Sequence, residues 1–434
     1  MPLKASYHTL GCKLNFSETA TIEGILRQKG IERVKEKETP DLCIVNTCSV
    51  TETADKKARH LIRQLYNKFP EASIIVTGCY AQLKPEEVAA LPGVKLVLGS
   101  NEKLRISGYI DSWLQNAGQI VKTIPHLSLK EFMPSCERGE RTRFFLKVQD
   151  GCDYYCSYCT IPQARGRSRS GKISLLTDMA KEAADKGGKE IVLTGVNVGT
   201  FGKDTGEKFL DLLKALDEIK EIERYRISSI EPNLLTDEII EWIAKESRAF
   251  MPHFHIPLQS GSDNVLKLMR RKYDTALFRS KIETIRSMMP DAYIGVDIIA
   301  GANGETLEEW IKSFEFAKSI DISKYHVFPY SERPGTKALQ LGDVVPMAER
   351  KHRVATLMIL SDIFNKNFIS QNKGKVRKVL WERPVGKSLM HGLTDNYIRI
   401  EAPYIPELIN TVTEVNVGDL KPGTTDTAFG DHKV

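Results

Sequence analysis

Apolar positions along this chain follow two alternating periods. Short apolar runs at residues 6–12, 41–48, 73–79 and 94–98 read as buried strands. Between them, Ile22, Ile25 and Leu26 in 18–29, and Leu61, Ile62 and Leu65 in 54–69, fall at helical spacing. Pro85, followed by Glu86 and Glu87, opens a third helix, with proline in its first turn. Strands alternating with helices predict a parallel α/β sheet. The pattern lapses over 104–140, a polar stretch with Pro125, Pro134 and the run 136–141, which reads as a connection between domains. From residue 143 the alternation resumes. Strands are predicted at 144–148, 190–194, 224–230, 253–259, 293–300 and 325–330, with helices at 175–186, 209–220 and 307–319. Six such units fall short of the eight of a closed barrel and predict an open, partial (β/α)6 barrel, its site at the C-terminal strand ends. A helical run beyond residue 350 ends near 372. The remainder is β-rich, alternates at Tyr397-Ile398-Arg399-Ile400, turns at Gly392 and Gly418, and predicts a small β-barrel.

Composition narrows the class. The 434 residues exceed one ordinary domain, and the pattern divides them at 1–132, 133–370 and 371–434. With 41% hydrophobic and 27% charged residues the chain is globular, not disordered. No apolar run reaches the roughly 18 residues of a membrane span. Residues 1–6 lack the apolar core of a secretory signal, so a cytoplasmic location with no membrane partner is expected. Eight cysteines are too sparse for a disulfide scaffold and read, in a reducing cytosol, as metal ligands or core residues. A net charge of +6 permits a nucleic-acid partner.

The densest chemistry follows the first barrel strand. Cys152, Cys156 and Cys159 are spaced C-x3-C-x2-C, with no fourth cysteine in the loop. Zinc sites use four donors, commonly two separated C-x2-C pairs or added histidines. Three thiolates instead suit three irons of a four-iron cluster and leave one iron open; a structural zinc is the alternative reading. This spacing resembles the radical S-adenosylmethionine (SAM) motif, in which SAM chelates the open iron. That resemblance makes the strand-end residues candidate SAM contacts: Gly195 and Asn197 after strand two, Ser229 and Glu231 after strand three, and Gln259 after strand four. Tyr158, between two cluster cysteines, is a candidate for adenine contact or for packing. His253 and His255 share one face of strand four and read as satisfied barrel-interior histidines.

A second set is spread along the N-terminal region. Cys12, Cys48 and Cys79 each end a predicted strand, at the edge where open α/β sheets bind ligands. Asn15 with Glu18, and Ser49 with Glu52, read as capping boxes opening helices beside Cys12 and Cys48. Helix N-termini there favour thiolate, the metal-binding form. Three thiolates converging on one sheet edge form a second incomplete site. Cys43 lies an odd number of residues from Cys48, faces the other side and is expected in the core; Cys136 is expected to be a bystander.

Together these features resemble the radical SAM methylthiotransferase family over nearly the whole chain. The matching motifs are Leu10-Gly11-Cys12-Lys13-Leu14-Asn15, Asn46-Thr47-Cys48, Thr77-Gly78-Cys79, the cluster loop running into Ala164-Arg165-Gly166, and 255–262. The tail resembles a TRAM domain. The resemblance implies two [4Fe-4S] clusters, one on each cysteine set, and SAM. The barrel cluster would generate a 5′-deoxyadenosyl radical that removes hydrogen from an unactivated carbon, and the N-terminal cluster would present a sulfur methylated by a second SAM. The form at 11–15 is more like the branch acting on threonylcarbamoyladenosine (t6A) at tRNA position 37 than the isopentenyladenosine branch. The implied partners are the tRNA anticodon loop and a reducing system such as flavodoxin or ferredoxin; the sulfur donor is left open. Arg165, Arg167 and Arg169, with Lys56, Lys57, Arg59 and Arg63, are candidate phosphate contacts. Competing readings are isopentenyladenosine tRNA or a ribosomal-protein aspartate as substrate, or an Fe–S RNA-binding protein without radical activity. One departure stands out. The family's Gly-Phe-Pro-Gly-Glu-Thr after strand five is here Gly301-Ala302-Asn303-Gly304-Glu305-Thr306, which puts that turn in question.

Overall fold

The computed structural model describes residues 2–35, 38–116, 118–386 and 388–432. Its first region runs β1 (Lys4–Thr9), α1 (Lys13–Gln28), β2 (Glu32–Arg33), β3 (Leu42–Thr47), α2 (Glu52–Lys68), β4 (Ser73–Gly78), α3 (Cys79–Leu83), α4 (Pro85–Ala89), β5 (Val94–Leu98), α5 (Ile106–Asn116) and β6 (Ile120–Lys122). All six strands are parallel, in the order β2-β1-β3-β4-β5-β6. The order reverses between β1 and β3, which opens a crevice at their C-terminal ends. Both faces of the sheet are covered, so β3 and β4 are buried throughout. Cys43, Val45, Ile74 and Val76 pack under Ala58, Ile62 and Leu65 of α2, and Cys43 is a core residue as expected. Ile44, Ile75 and Leu96 pack on Ile22 and Leu26 of α1 and on Ile106 and Ile110 of α5.

Two local expectations are corrected. The stretch 104–140 is not only a connection: it supplies α5 and the sixth strand, whose three residues are too few to show a period. Helix α1 begins at Lys13, not residue 18, because its buried face is polar at Asn15, Ser17, Glu18 and Thr19 and hid the apolar repeat.

The second region holds β7 (Ser135–Glu137), β8 (Phe144–Lys147), β9 (Gln149–Asp150), α6 (Ile161–Arg165), β10 (Arg169–Ser170), α7 (Ile173–Asp185), β11 (Glu190–Thr194), α8 (Phe209–Asp217), β12 (Arg224–Ile227), α9 (Asp237–Lys245), β13 (His253–Gln259), α10 (Asp263–Leu268), α11 (Thr275–Met288), β14 (Tyr293–Ala300), α12 (Leu307–Ser319) and β15 (Lys324–Pro329). β8, β11 and β12 pair in parallel, as do β13, β14 and β15. Bridges at Tyr225–Phe250 and Ser229–His255 join the two halves. This is the predicted six-stranded partial barrel, with β7 antiparallel at its edge and Cys136 buried in its core. The turn after β14 is well tied, with Ala302 and Asn303 both taking part. Gly301 N donates to Glu305 Oε2 at 2.7 Å, Asn303 Nδ2 donates to Ala338 O at 3.0 Å, and Ala302 packs with Val265, Met269 and Tyr330.

Helix α13 (Met347–Asn372) leads to β16 (Val376–Val385), β17 (Leu389–Thr394), β18 (Arg399–Pro403), β19 (Val412–Leu420) and β20 (Thr427–His432), a closed barrel in the order β16-β17-β18-β20-β19 around Trp381, Met390, Ile400 and Val415. Among the described residues no helix is long and apolar enough to cross a membrane.

Buried charge seats this small barrel on the larger one. Arg224 donates to Leu393 O and Thr394 O at 2.9 and 2.8 Å, and Arg226 to Asp395 O and Thr394 O at 2.7 Å each. Glu190 pairs with both arginines, at 2.8 and 2.9 Å. Burial disfavours the Glu190 carboxylate, but Arg226, Arg224 and Arg143 outweigh it and hold the carboxyl down at about 2. A depressed carboxyl contributes stability that is present above its unfolded value of 4.5 and is lost as pH falls toward about 2. Glu190→Ala would leave two guanidinium groups buried without their counter-ion. The expected cost is about 3–5 kcal/mol, read as a lower urea midpoint at neutral pH whose gap from wild type narrows below pH 4.

Candidate active site between the first two regions

Strand β8 runs through β9 into the loop bearing Cys152, Cys156 and Cys159. Gly151 turns the chain there at φ +70°, and a Cβ would lie 2.0 Å from Arg167 O, so only glycine fits. Each thiol meets a donor. Tyr154 N donates to Cys152 Sγ and Ile161 N to Cys159 Sγ, both at 3.4 Å, and Arg271 Nη1 donates to Cys156 Sγ at 3.1 Å. Arg271 also pairs with Glu231. Burial pushes the Cys152 thiol up to about 11 and Cys159 to about 12, and raises Cys156 against the pull of Arg271. Iron binding must therefore displace thiol protons, and the N–H donors then favour the resulting thiolates.

The other three cysteines lie along the crevice of the first sheet. Cys12 is the N-cap of α1, Cys48 directly follows β3, and Cys79 is the first residue of α3. A Cβ on Gly11 would lie 2.6 Å from Cys48 Cβ, which shows how closely the first two loops approach. Asn15 Nδ2 ties those loops, donating to Leu10 O at 2.9 Å and Thr47 O at 3.0 Å. Thr47 Oγ1 donates to Thr77 O at 2.5 Å, just ahead of Cys79. Burial, with the neighbouring Cys79 and Cys12, pushes Cys48 up to about 12. The expected capping boxes are not formed. Asn15 and Glu18 sit inside α1 and turn to tertiary partners, while Thr51 caps α2 by accepting from Ala54 N at 3.1 Å and Ser49 Oγ donates to Asp55 at 2.6 Å.

Among the described residues no group of three or more His, Cys, Asp or Glu side chains is gathered to hold a single metal ion. A four-iron cube makes a different demand, because each thiolate takes its own iron. Three cysteines around one loop, with N–H donors to their sulfurs, fit that demand. The N-terminal set offers the same chemistry of three thiols at one edge.

A cavity of about 250 Å³ lies between the two regions. Val50 and Thr51, just past Cys48, form one wall; Tyr158, Cys159 and Thr160 form another; Gln259 and Asp297 project from the barrel. Gln259 sits at φ +67° on a bulge of β13, which re-aims its side chain. Of the six candidate SAM contacts, Tyr158 and Gln259 line this cavity. Glu231 lies at the Arg271–Cys156 corner. Val196 N and Asn197 N donate to Gln149 Oε1 at 3.0 and 2.9 Å, which holds the 195–197 turn under the cluster loop, and Ser229 bridges to His255. His255 is satisfied, as expected: its Nε2 lies 2.7 Å from Asp297 Oδ1. His253 is buried and stacks on Tyr293 and Tyr397, with its Nδ1 left unpartnered.

A buried ion network joins the regions. Arg165 reaches Asn15 Oδ1 at 2.6 Å and both Glu18 and Asp150 at 3.1 Å; Glu18 also holds Lys103 at 2.5 Å and Lys147 at 3.0 Å. Arg165 and Arg169 are 1% and 4% exposed. That removes both from the expected phosphate contacts, because their guanidinium groups are already enclosed by protein acceptors. Arg167, Lys56, Lys57 and Arg63 are exposed, and Arg59 pairs with Glu52 and Glu87. A second clamp runs from Arg333 to Ser49 Oγ at 2.7 Å and to Asp55 at 2.8 Å. Sequence reasoning missed Glu18, Asp150, Arg271 and Arg333. For Glu18 a signal existed: Leu14, Glu18 and Ile22 are four apart, so the carboxylate shares the buried face.

Comparison with known proteins finds two family patterns along the chain. The pattern described as "Uncharacterized protein family UPF0004" matches residues 4–99, and that of the radical SAM superfamily matches residues 146–317. The threonylcarbamoyladenosine tRNA methylthiotransferase MtaB of Bacillus subtilis is 38% identical, with 96% of this chain and 94% of that protein covered. The protein of the same name from Aquifex aeolicus is 36% identical over 92% and 96%. This chain belongs to the radical SAM methylthiotransferase family. The tRNA-2-methylthio-N(6)-dimethylallyladenosine synthase of Protochlamydia amoebophila is 31% identical over 94% of this chain and 92% of that protein. Among solved structures, the radical SAM methyltransferase TsrM of Kitasatospora setae superposes with a TM-score of 0.57 at 12% identity, covering 78% of this chain and 74% of that one. That likeness concerns the fold alone. As a radical SAM methylthiotransferase the chain is an enzyme, and membership implies a [4Fe-4S] cluster and SAM. Gly151→Ala tests the loop geometry: the variant is expected to lose most iron from the barrel site, read as lost visible absorbance and iron per chain, with unchanged far-ultraviolet circular dichroism.

Proposed function

We propose that this enzyme adds a methylthio group to C2 of N6-threonylcarbamoyladenosine beside the tRNA anticodon, in the cytoplasm. One observation carries the reading. A single cavity is walled on one side by Val50 and Thr51, which follow Cys48, and on the other by Cys159, so a substrate carbon there would lie between the two cysteine-bearing loops. Cys152, Cys156 and Cys159 would hold one [4Fe-4S] cluster, and Cys12, Cys48 and Cys79 a second. When bound, the first cluster with SAM supplies the radical chemistry that an unactivated aromatic C–H requires, and the second supplies sulfur.

The chain's own residues then bind, orient and exclude water. Tyr158 and Gln259 border the cofactor space, and Arg271 holds Glu231 beside Cys156. The adenosine next to the anticodon is single-stranded, so extruding it into the cavity costs little. Exposed Lys56, Lys57, Arg63 and Arg167 are proposed phosphate contacts, and the C-terminal five-stranded barrel, read as a TRAM domain, is proposed to hold tRNA through its strand faces and basic loops. A small electron-transfer protein such as flavodoxin or ferredoxin would supply the electron. The t6A substrate rests on the names of the Bacillus subtilis and Aquifex aeolicus relatives and on Lys13-Leu14 after Cys12. Relatives named for dimethylallyladenosine stand at 31–33% and mark the second reading.

Mass spectrometry of tRNA nucleosides decides between them. A deletion strain is expected to lose 2-methylthio-t6A and keep 2-methylthio-isopentenyladenosine; unchanged 2-methylthio-t6A would overturn the assignment. The triple change Cys152→Ala, Cys156→Ala, Cys159→Ala is expected to leave about half the iron and no 5′-deoxyadenosine formation. Changing Cys12, Cys48 and Cys79 to alanine is expected to leave the other half of the iron and abolish the methylthio product. Loss of neither cluster or of both in the first variant contradicts the two-site reading.

A further inference from the structure

The charge balance of the buried network around Arg165 is uneven. Four cations, Lys103, Lys147, Arg165 and Arg169, face two carboxylates, Glu18 and Asp150, and none of the six side chains is more than 5% exposed. The neighbouring buried Glu102 is engaged elsewhere, with Arg105 and the Tyr109 hydroxyl. A sealed surplus of two positive charges is costly unless an anion lies beside it. The Arg165 end of the network faces Cys79. Helix α6, which ends in Arg165, packs on α3, which begins at Cys79, and Ser100 Oγ fixes Ala164 O at 2.6 Å. Asn15 Oδ1 accepts from both Arg165, at 2.6 Å, and the Cys12 thiol, at 3.8 Å, and the Arg165 charge pulls the Cys79 thiol down against the burial that raises it.

We propose that this surplus is the counter-charge of the Cys12, Cys48 and Cys79 site, and that Arg165 is the positioning residue that delivers it. The inference rests on the reading that those cysteines carry a cluster, and it adds what sets that cluster's charge. Reduction adds an electron, so a fixed positive charge in a low-dielectric wall favours the reduced form and raises the reduction potential. Arg165 is held from both sides, by Asp150 at the root of the barrel loop and by Glu18 on the helix that Cys12 caps.

The test uses full-length protein with Cys152, Cys156 and Cys159 changed to alanine, reconstituted with iron and sulfide, so that only the N-terminal cluster reports. Absence of iron in this background would overturn the two-cluster reading, and that is seen before any further variant is made. With the cluster present, potentiometric titration followed by electron paramagnetic resonance is expected to show opposite shifts. Arg165→Gln moves the midpoint negative, Arg165→Lys moves it less, and Glu18→Gln, which enlarges the surplus, moves it positive. Unchanged midpoints, shifts of one sign for Arg165→Gln and Glu18→Gln, or folded but iron-free protein in both would assign the network a purely structural role and overturn the proposal.

Discussion

The seating of the first region on the barrel depends above all on one buried guanidinium. Arg165 is charged at any pH the protein survives, so it cannot relieve its burial by losing a proton. Its partners must be there, and they come from different regions: Asn15 and Glu18 from α1, Asp150 from the root of the cluster loop. Taking away the first region would leave Arg165 and Lys147 short of Glu18, and taking away the barrel would leave Glu18 with Lys103 alone. A salt bridge of this kind is weak evidence for stability but strong evidence for register, because misplacing either side strands a charge. The Arg333 clamp on Ser49 and Asp55 acts at the opposite wall of the cavity and fixes the loop that follows Cys48.

Much of the architecture was legible in the sequence for a simple physical reason. A parallel strand covered on both faces carries a dense apolar run, and β3, β4, β8 and β11, buried along their whole lengths, are of that kind. The open barrel followed from counting such runs, and the small terminal barrel from the alternation at 397–400 and the turns at Gly392 and Gly418. Where burial is polar the reading failed. The face of α1 that enters the domain interface carries Asn15, Ser17, Glu18 and Thr19, so apolar periodicity located the helix five residues late and mistook Glu18 for a capping side chain. Arg165 and Arg169 were read as surface charge for the same reason: composition cannot tell a phosphate contact from a guanidinium sealed against carboxylates. Cysteine spacing was the stronger signal, because one loop supplied three of the candidate ligands. Arg271, more than a hundred residues from Cys156, reaches it only through the return of the chain after β13.

The openness of the barrel completes the argument. A closed eight-stranded barrel fills its interior with side chains and works only at its rim. Here the two halves meet through isolated bridges, and the lumen holds His255 and Asp297 with a cavity above them rather than a packed plug. That space is of use only if something roofs it. From the first region Val50 and Thr51, in the loop after Cys48, cover it, and buried charge holds that region against the barrel. The ion network thus holds the first region against the barrel, and under the proposed function the two walls of the cavity would divide the work: one side to open a C–H bond, the other to close a C–S bond in its place.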